Sequence, residues 1–352
     1  MKVELRELAW RRASPLSTAL GRWQERKSLL VRLIDEHQRV GHGEAAPLPG
    51  YSSDTLEEAE RALEGVDLLA IAALAAAGSW DTAELELPPA ARFALESALL
   101  ELGALEAGVP AWRLLADAAG GAVSHRQELS RLVDARDAGG VVAAGKAAWS
   151  ARRRTIKLKL SPEALEAQLE GVARLRQALP ELRVRLDANR CLSLARARWL
   201  VERAAELRVE YVEEPIGDPA ELPSLAGAAP IALDESLQGL GARDRLEPLL
   251  AGGAVRILVL KPMALGGIQR CTELWRLARR HGSDVVLSHL LDGPVAFAAT
   301  AALSLAIGAP ERAAGLDTPP LAESFGVTAP SVSEGLRPWQ APGFGLTHRD
   351  DE

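Results

Sequence analysis

The chain has very little cysteine, and it has no long uncharged apolar run. Its 352 residues include only two cysteines, Cys191 and Cys271, which are far apart in the sequence. Two distant thiols supply neither a disulfide framework nor a thiolate metal site, so a reducing, cytoplasmic location is predicted. No apolar stretch is long enough to span a bilayer, which argues against a membrane protein.

An excess of basic residues is also missing. The formal net charge is −7, and the densest basic run is the short segment Arg152-Arg153-Arg154. Nucleic-acid-binding surfaces are strongly positive, so we expect no nucleic-acid partner. Apolar residues make up 48% of the chain, which is enough to bury the core of one large barrel or of two domains.

The chain divides into three parts by its sequence pattern. Residues 1–120 begin with alternating, strand-like segments and continue with helical ones, which predicts an α+β capping domain. Residues 121–324 alternate short apolar runs with helical stretches. Residues 325–352 are rich in proline and glycine, and we expect them to pack back on the capping domain.

The alternating middle part predicts an α/β fold, specifically a (β/α)8-type barrel. The strand candidates are Gln127–Val133, Thr155–Leu160, Arg183–Asp187, Glu210–Glu213, Ile231–Asp234, Ile257–Lys261, Val285–Ser288 and Ala314–Asp317. An open doubly wound sheet is the alternative fold. It is disfavoured because no glycine-rich phosphate-binding turn follows any of these strand candidates.

Charged residues occupy the ends of five consecutive strand candidates. In chain order they are Lys157 with Lys159, then Asp187, Glu213, Asp234 and Lys261. A buried charge without a partner is costly, so these side chains are expected to meet one another. In a barrel the carboxyl ends of the strands surround the active site. The pattern therefore predicts that the charges converge at that end.

Three of the charged residues are carboxylates, and no cysteine or histidine accompanies them. Oxygen ligands alone favour a hard divalent cation. Asp187, Glu213 and Asp234 are therefore predicted to bind Mg²⁺, with Mn²⁺ as the substitute ion. For any one of the three, a surface ion pair is the simpler interpretation, but matched positions on consecutive strands favour the metal.

The lysines add a second chemical feature. Lys157 and Lys159 are two residues apart on a strand, so they share a face. Neighbouring ammonium groups and a metal ion lower the pKa of one lysine, which makes it available as a base. Lys261 is expected to face the metal from the opposite side. These groups predict removal of the α-proton of a metal-bound carboxylate, followed by re-protonation or elimination.

These motifs resemble those of the enolase superfamily, in its muconate-lactonising-type subgroup, over nearly the whole chain. The similar segments are Lys157-x-Lys159, Asp187-Ala-Asn189, Glu213-Glu214-Pro215, Asp234-Glu235-Ser236 and Lys261-Pro262. The resemblance implies an N-terminal capping domain followed by the barrel. It also implies that Lys159 is the general base, that the three carboxylates bind Mg²⁺, and that Lys261 is the opposing acid/base or a stabilising cation.

Three further segments resemble the o-succinylbenzoate synthase family. They are the loop from Gly43 to Ser52, Ser288-His289 after the seventh strand candidate, and Gly315-Leu316-Asp317 at the eighth. This resemblance implies dehydration of 2-succinyl-6-hydroxy-2,4-cyclohexadiene-1-carboxylate to o-succinylbenzoate, a reaction of menaquinone biosynthesis. The small carboxylate would be the only partner identified. Its expected contacts are Tyr51, Asn189, Ser288, His289 and Asp317.

The segment Ser288-His-Leu-Leu-Asp-Gly-Pro294 departs from the pattern of many members of that family. The mandelate-racemase subgroup has a catalytic histidine on the seventh strand, paired with an aspartate on the sixth. Here the sixth strand candidate ends in Lys261, so His289 is predicted to line the pocket and not to act as a base.

Other functions remain open on the same residues. An N-acylamino acid racemase or a dipeptide epimerase would use the same two lysines, and so would a muconate cycloisomerase. Dipeptide epimerases commonly carry an Asp-x-Asp near the eighth strand, whereas Asp317 is followed by Thr-Pro-Pro here. A non-catalytic binding protein would need a broken site, and all five charged strand ends are intact. The oligomeric state is not readable from the sequence.

Overall fold

The computed structural model describes residues 1–18, 21–121, 123, 125–239, 242–317 and 325–348. The chain begins with a three-stranded antiparallel sheet, in the order β1 (Lys2–Thr18), β2 (Gly21–Ile34) and β3 (Val40–Ala45). Four helices follow the sheet, namely α1 (Leu56–Glu64), α2 (Leu68–Ala76), α3 (Pro89–Ala107) and α4 (Ala111–Ala119). This succession of a sheet and then helices agrees with the predicted α+β architecture.

Local sequence explains where the first helix begins. The Thr55 side chain accepts a hydrogen bond from the Glu58 backbone N–H, and the Glu58 carboxylate accepts one from the Thr55 N–H at 2.8 Å. Each side chain thereby satisfies a backbone donor that the first helical turn leaves unpaired. The cap fixes the point at which the loop after β3 leads into α1. The predicted loop from Gly43 to Ser52 is wrong at its start, because residues 43–45 belong to β3.

Two glycines let β3 lie directly against α3. A Cβ atom at Gly43 would lie 1.9 Å from the carbonyl oxygen of Ala94, and one at Gly41 would lie 2.1 Å from that of Ala98. Any larger residue would therefore push the strand away from the helix. The close approach sets where β3 ends, and therefore also the position of the loop that follows it.

The second part of the chain forms a seven-stranded parallel sheet, in the order of the sequence. Its strands are β4 (Ser130–Val133), β5 (Thr155–Lys159), β6 (Arg183–Asp187), β7 (Tyr211–Glu213), β8 (Ile231–Leu233), β9 (Ile257–Leu260) and β10 (Asp284–Leu287). Each strand pairs with the next one in register. The main helices that follow or connect them are α5 (Ala138–Ser150), α6 (Leu165–Ala178), α7 (Leu194–Glu206), α8 (Glu247–Ala251), α9 (Pro262–Leu265), α10 (Gly267–Arg280) and α11 (Pro294–Ile307).

The predicted eighth strand, Ala314–Asp317, does not form a strand in the described part of the chain. Two isolated parallel bridges take its place, because Ala314 pairs with Leu129 and Gly315 pairs with Ser288. Leu129 immediately precedes β4, and Ser288 immediately follows β10. The segment therefore joins the two edges of the curled sheet through single bridges, and no edge between them is left open over these residues.

The C-terminal segment lies against the helices of the first part of the chain. The Trp112 indole N–H of α4 donates to the Trp339 carbonyl at 2.9 Å, and the Phe344 N–H donates to Glu101 of α3 at 3.2 Å. The packing of residues 325–352 as a whole on the capping domain stays a prediction. The short strands β11 (Val327–Thr328) and β12 (Thr347–His348) pair with each other in this segment. The domain boundaries after residues 120 and 324 stay a prediction.

Over the residues described, no helix combines the length and the apolar character that a membrane crossing requires.

Replacing Gly43 by alanine tests the contact between β3 and α3. A Cβ atom at 1.9 Å from a backbone oxygen cannot be accommodated without moving the strand. We expect Gly43→Ala to lower the free energy of unfolding by about 3 kcal/mol, the upper range for overpacking, measured by urea denaturation. Gly239→Ala is the control, since a Cβ atom there meets nothing within 4 Å. Equal stability of the two variants would contradict the close packing.

Candidate active site

The predicted charged residues lie at one edge of the parallel sheet. Lys159 pairs in register with Asp187, and Asp187 pairs with Glu213. Asp234 directly follows β8, and Lys261 directly follows β9. A cavity opens at this edge between the sheet and the loop after β3. Of the six charged residues predicted from the sequence, the lining includes Lys157, Lys159, Asp187, Asp234 and Lys261.

Lys157 binds two of the carboxylates. Its ammonium nitrogen lies 2.8 Å from Asp187 Oδ2 and 2.5 Å from Glu213 Oε1. Burial opposes the charge on Lys157, but the carboxylates of Asp187 and Glu213 outweigh it and raise the pKa of Lys157 well above the usual value. Lys157 is therefore a fixed positive charge between these carboxylates.

Lys261 makes the corresponding ion pair on the other side of the cavity. Its ammonium group donates to Asp234 Oδ2, and it also donates to the Tyr51 hydroxyl at 3.1 Å. The same ammonium lies 4.3 Å from the centre of the Tyr51 ring, within the range of a cation–π contact. Burial opposes the charge of Lys261, but Asp234 and Glu235 outweigh it and raise its pKa.

Tyr51 connects the loop after β3 to the barrel. Its hydroxyl donates to Asp234 Oδ1 at 2.7 Å, so Asp234 is held by Tyr51 and Lys261 together. Burial raises the pKa of Tyr51 well above its usual value, and the negative charge of Asp234 adds to the effect. The phenol therefore remains a hydrogen-bond donor, and a residue predicted to contact substrate lies within the group of charges.

Lys159 differs from the other two lysines. No carboxylate in the described part of the chain lies within ion-pair distance of its ammonium group, although it lines the cavity. Burial lowers the pKa of Lys159, and the positive charges of Lys157 and Lys261 lower it further, whereas Asp187 partly opposes the change. Of the three lysines at this edge, Lys159 is thus the one that most readily becomes neutral.

The three carboxylates predicted to bind a metal ion are all buried, with exposed fractions of 2% for Asp187, 0% for Glu213 and 2% for Asp234. Among the described residues, no three histidine, cysteine, aspartate or glutamate side chains are arranged so as to bind one ion. The Lys157 ammonium lies between Asp187 and Glu213, and the Lys261 ammonium pairs with Asp234. A cation held by all three carboxylates would have to displace the Lys157 ammonium.

The donor chemistry nevertheless fits a magnesium ion. Buried carboxylate oxygens are the ligands that Mg²⁺ prefers. Glu213 Oε2 is buried and has no hydrogen-bond partner within the described residues. Burial raises the pKa of Glu213 well above its usual value, despite the opposing charge of Lys157. A divalent cation would relieve both the orphaned oxygen and the crowding of negative charge. The assignment of the ligands stays a prediction.

Glu214 is a supporting residue to which the sequence reading gave no role. Its carboxylate accepts the Asp234 N–H at 2.7 Å and the Ser236 N–H at 2.8 Å, and it also accepts the Ser236 hydroxyl at 2.7 Å. Glu214 has φ of 45°, in the left-handed region that non-glycine residues rarely adopt. Glu213 faces Lys157, whereas the adjacent Glu214 holds the backbone around Asp234.

Asn189 and Glu235 face each other across the cavity lining. The Asn189 side-chain amide donates to Glu235 Oε1 at 3.2 Å, while the Asn189 backbone N–H donates to Asp187 Oδ1 at 3.1 Å. Burial and the neighbouring Asp234 raise the pKa of Glu235 to about 7. Both residues line the cavity. Asn189 as a substrate contact stays a prediction, and Glu235 was not predicted from the sequence to lie at the site.

The remaining predicted contacts have different surroundings. Ser288 and His289 line the cavity, where the Ser288 hydroxyl donates to the Gly315 carbonyl at 3.3 Å. The His289 ring meets the Phe297 ring edge to face, with centroids 5.3 Å apart. Asp317 also lies in the lining.

The Asp317 carboxylate is engaged by two arginines. It accepts hydrogen bonds from Arg131 and from Arg153, and its side chain is 4% exposed. Arg153 in turn donates to the Ser333 carbonyl at 3.1 Å. The structure thus gives Asp317 ion-pair partners from the barrel and a link to the C-terminal segment.

Four leucines complete the lining. Leu48 comes from the loop after β3, Leu132 from β4, and Leu290 and Leu291 from the loop after β10. None of them was predicted from the sequence, because a leucine that lines a cavity has the same sequence pattern as a leucine in the core. The cavity therefore combines charged groups on the sheet edge with apolar side chains from three segments.

Comparison with known families identifies the architecture. Residues 140–352 match the family described as "Enolase C-terminal domain-like". Residues 17–102 match the family described as "MenC, N-terminal domain". The first match covers more than half of the chain and contains all six charged residues of the sheet edge.

Individual relatives carry two kinds of name. An o-succinylbenzoate synthase of Pectobacterium atrosepticum is 30% identical, over 84% of this chain and 84% of the relative. A hydrophobic dipeptide epimerase of Roseobacter litoralis is also 30% identical, over 86% of this chain and 87% of the relative. Sequence identity therefore does not separate the two activities.

Solved structures share the fold. A muconate lactonizing enzyme from Pseudomonas fluorescens, complexed with muconolactone, superposes with a TM-score of 0.83 at 22% identity, covering 99% of this chain and 96% of the other. A dipeptide epimerase from Enterococcus faecalis, complexed with Mg and the dipeptide L-Leu-L-Tyr, has a TM-score of 0.80 at 23% identity and covers 98% and 99% of the chains. These matches confirm a barrel with an N-terminal capping domain. The chain belongs to the enolase superfamily, in its muconate-lactonising-type subgroup.

Proposed function

We propose that this protein is a magnesium-dependent o-succinylbenzoate synthase. It would dehydrate 2-succinyl-6-hydroxy-2,4-cyclohexadiene-1-carboxylate in menaquinone biosynthesis. The observation that carries the proposal is the difference between the lysines: Lys157 and Lys261 are held in ion pairs, whereas Lys159 faces the cavity with a lowered pKa. A single lysine poised to be neutral beside fixed positive charges is suited to remove a proton from a carbon acid.

The chain's own groups divide the reaction between them. Lys159 takes the proton from the carbon that bears the carboxylate. Mg²⁺, held by Asp187, Glu213 and Asp234, would stabilise the negative charge that develops on that carboxylate. The electron pair then forms the aromatic ring as the C6–O bond breaks, and the hydroxide that leaves takes the proton that Lys159 removed, which gives water and restores the neutral lysine. Lys261 remains positively charged and faces the electron-rich ring.

The apolar part of the cavity suits this substrate. The leucines at positions 48, 132, 290 and 291 present an apolar surface next to the charged sheet edge. A six-membered ring with a carboxylate on one carbon needs an apolar wall and a cationic edge in this arrangement. A match to the "MenC, N-terminal domain" family over residues 17–102 adds support from the capping part of the chain.

The second candidate function is epimerisation of dipeptides, which the Roseobacter litoralis relative favours by its name. The same lysines would remove and return an α-proton. A dipeptide also carries an ammonium group that needs a carboxylate in the cavity. Asp317, the residue expected near the eighth strand, is already paired with Arg131 and Arg153. This pairing leaves Asp317 poorly suited to hold an amine, so we rank the epimerase second.

A direct comparison of substrates tests the proposal. The protein with Mg²⁺ is given the cyclohexadiene acid, N-succinylamino acids and Ala-Glu dipeptides in separate reactions. We expect loss of water and aromatisation with the first substrate, followed by ultraviolet absorbance, at a kcat/KM that exceeds epimerisation of the others. Epimerisation of dipeptides with no dehydration would refute the synthase and support the second candidate. Absence of α-proton exchange with deuterium oxide for all three would refute both.

Lys159→Ala tests the assignment of the base. Loss of a positioned general base typically costs a factor of 10²–10⁴, so we expect turnover to fall by about a thousandfold. Mg²⁺ affinity should be unchanged, because Lys159 forms no ion pair with the three carboxylates. Lys146→Ala, at an exposed position on α5, is the matched control and should keep full turnover. Normal turnover by Lys159→Ala would remove this residue as the base.

Asp234→Asn tests the proposed metal ligands. The amide keeps the shape of the side chain but removes its charge, so the affinity for Mg²⁺ should fall at least about tenfold. Isothermal titration calorimetry with Mg²⁺ measures this without any substrate. Asp117→Asn, on the exposed surface of α4, is the control. In the native protein, EDTA should abolish turnover and added Mg²⁺ should restore it. Unchanged Mg²⁺ binding by Asp234→Asn would exclude Asp234 as a ligand.

A further inference from the structure

Two buried glutamates from the first part of the chain bind the beginnings of barrel helices. Glu44 lies on β3 and is 0% exposed, and Glu96 lies on α3 and is 1% exposed. Burial raises the pKa of each of them to about 7, partly opposed by hydrogen bonds from backbone N–H groups. Neither residue lines the cavity of the candidate active site, and neither has a role in the proton transfer described above.

Glu44 caps helix α11. Its Oε1 accepts the Gly293 N–H at 2.7 Å, and its Oε2 accepts the Ala296 N–H at 3.1 Å. Gly293 stands at the cap position and has no side chain to satisfy these donors, and Pro294 at the first helical position has no N–H. The helix therefore takes its cap from a residue 249 positions earlier in the sequence. A carboxylate at this end is also favoured by the helix dipole.

The loop that ends at this cap forms part of the cavity. Ser288, His289, Leu290 and Leu291 line the cavity, and Gly293 follows two residues later. Because Glu44 holds the Gly293 N–H and the first turn of α11, it fixes the end of the loop that presents these side chains. The other end is fixed by β10.

Arg26 strengthens the same connection. Its guanidinium donates to the Ala46 carbonyl at 2.6 Å and to the Pro47 carbonyl at 3.0 Å, and it reaches the Leu290 carbonyl at 3.5 Å. Ala46 and Pro47 immediately precede Leu48, which lines the cavity. A single buried cation thereby touches the backbone of both loops that supply leucines to the lining.

Gly293 packs closely against Glu44 and Phe325. A Cβ atom there would lie 2.4 Å from Glu44 Oε1 and 2.3 Å from Cζ of Phe325. Only glycine allows the carboxylate to approach the N–H at this distance. The absence of a side chain at position 293 is therefore part of the cap.

We propose that Glu44 is a positioning residue for the substrate: by capping α11 it sets the loop of residues 288–293 against the loop after β3, so that both form one binding wall. None of the six charged residues of the sheet edge belongs to this wall, so the wall is assigned to the part of the substrate that does not react. Glu44 therefore acts on substrate binding and leaves the chemical step nearly unchanged. Only the kinetic test of this inference rests on the proposed function.

Glu96 provides the matched comparison. Its carboxylate accepts the Gln269 N–H at 3.0 Å, in the first turn of α10, and the Thr82 hydroxyl at 3.1 Å. It is as buried as Glu44 and also joins the first part of the chain to a barrel helix. However, no residue from 266 to 271 lines the cavity. We therefore expect Glu96→Gln to perturb the packing in the same manner without moving the binding wall.

Hydrogen–deuterium exchange of the whole chain tests whether Glu44 fixes the position of the loop, and it requires no turnover. In Glu44→Gln the side chain keeps its size but places an amide against a backbone donor, so the cap weakens. We expect amides of residues 288–297 to exchange about tenfold faster than in the native protein. In Glu96→Gln the faster exchange should be confined to residues 266–271. Native exchange rates at 288–297 in Glu44→Gln would overturn the proposal.

Steady-state kinetics test the substrate arm. We expect Glu44→Gln to raise KM about tenfold with kcat within about threefold of the native value, because only the fit of the remote part changes. Glu96→Gln should leave both constants near native even if its thermal stability falls equally. Gly293→Ala, which displaces the carboxylate from the other side, should repeat the change in KM. Equal KM values for the two glutamine variants would overturn the proposal.

The two hypotheses fail in different ways. If the native protein does not dehydrate the cyclohexadiene acid, the proposed function fails, and the KM comparison is made with whichever superfamily substrate the native protein turns over. The exchange measurement decides on the position of the loop in either case. If the native protein is active and the glutamine variants cannot be distinguished by exchange or KM, only the role of Glu44 fails.

Discussion

The structure depends on keeping like charges apart at the carboxyl edge of the parallel sheet. Asp187, Glu213 and Asp234 are buried there within one group, and each negative charge must have a cation nearby. Lys157 meets this need for two of them and Lys261 for the third. One set of ion pairs joins the ends of β5, β6 and β7, and another joins the ends of β8 and β9. Together they determine which groups remain for chemistry.

The same constraint explains why three lysines in one cavity have different properties. A lysine between two carboxylates keeps its proton because the negative charges outweigh the cost of burial. Lys159 shares the burial and lies beside two positive charges, but it has no carboxylate partner among the described residues. Two residues along one strand are thus enough to separate a permanent cation from a candidate base. The difference arises from the position of the strand ends relative to one another and not from the residue type.

Much of this arrangement could be predicted from the sequence, because it follows from local rules. A strand of known direction puts its last residue at a known edge, and pairs such as Lys159–Asp187 and Asp187–Glu213 follow from the parallel register. The eighth strand was predicted wrongly, because Ala314 and Gly315 make only single bridges. An isolated bridge leaves no alternation of apolar and polar residues in the sequence from which it could be predicted. Asp317 was predicted to contact the substrate. Its pairing with Arg131 and Arg153 could not be predicted, because it depends on where distant segments meet.

The contacts between the loops could not be predicted from the sequence either. They are relevant to how such a protein acquires its substrate specificity. The charged residues lie at the ends of paired strands, whereas three of the four lining leucines lie on loops that Tyr51, Arg26 and Glu44 contact. The leucines of these loops form none of the ion pairs, so substitutions at these leucines can change the cavity without removing an ion pair. Relatives at the same identity bear the names of a synthase and of an epimerase, as this separation would produce. Chemistry is thus fixed by the register of the sheet, and the choice of substrate is left to the loops that Glu44 and Arg26 hold together.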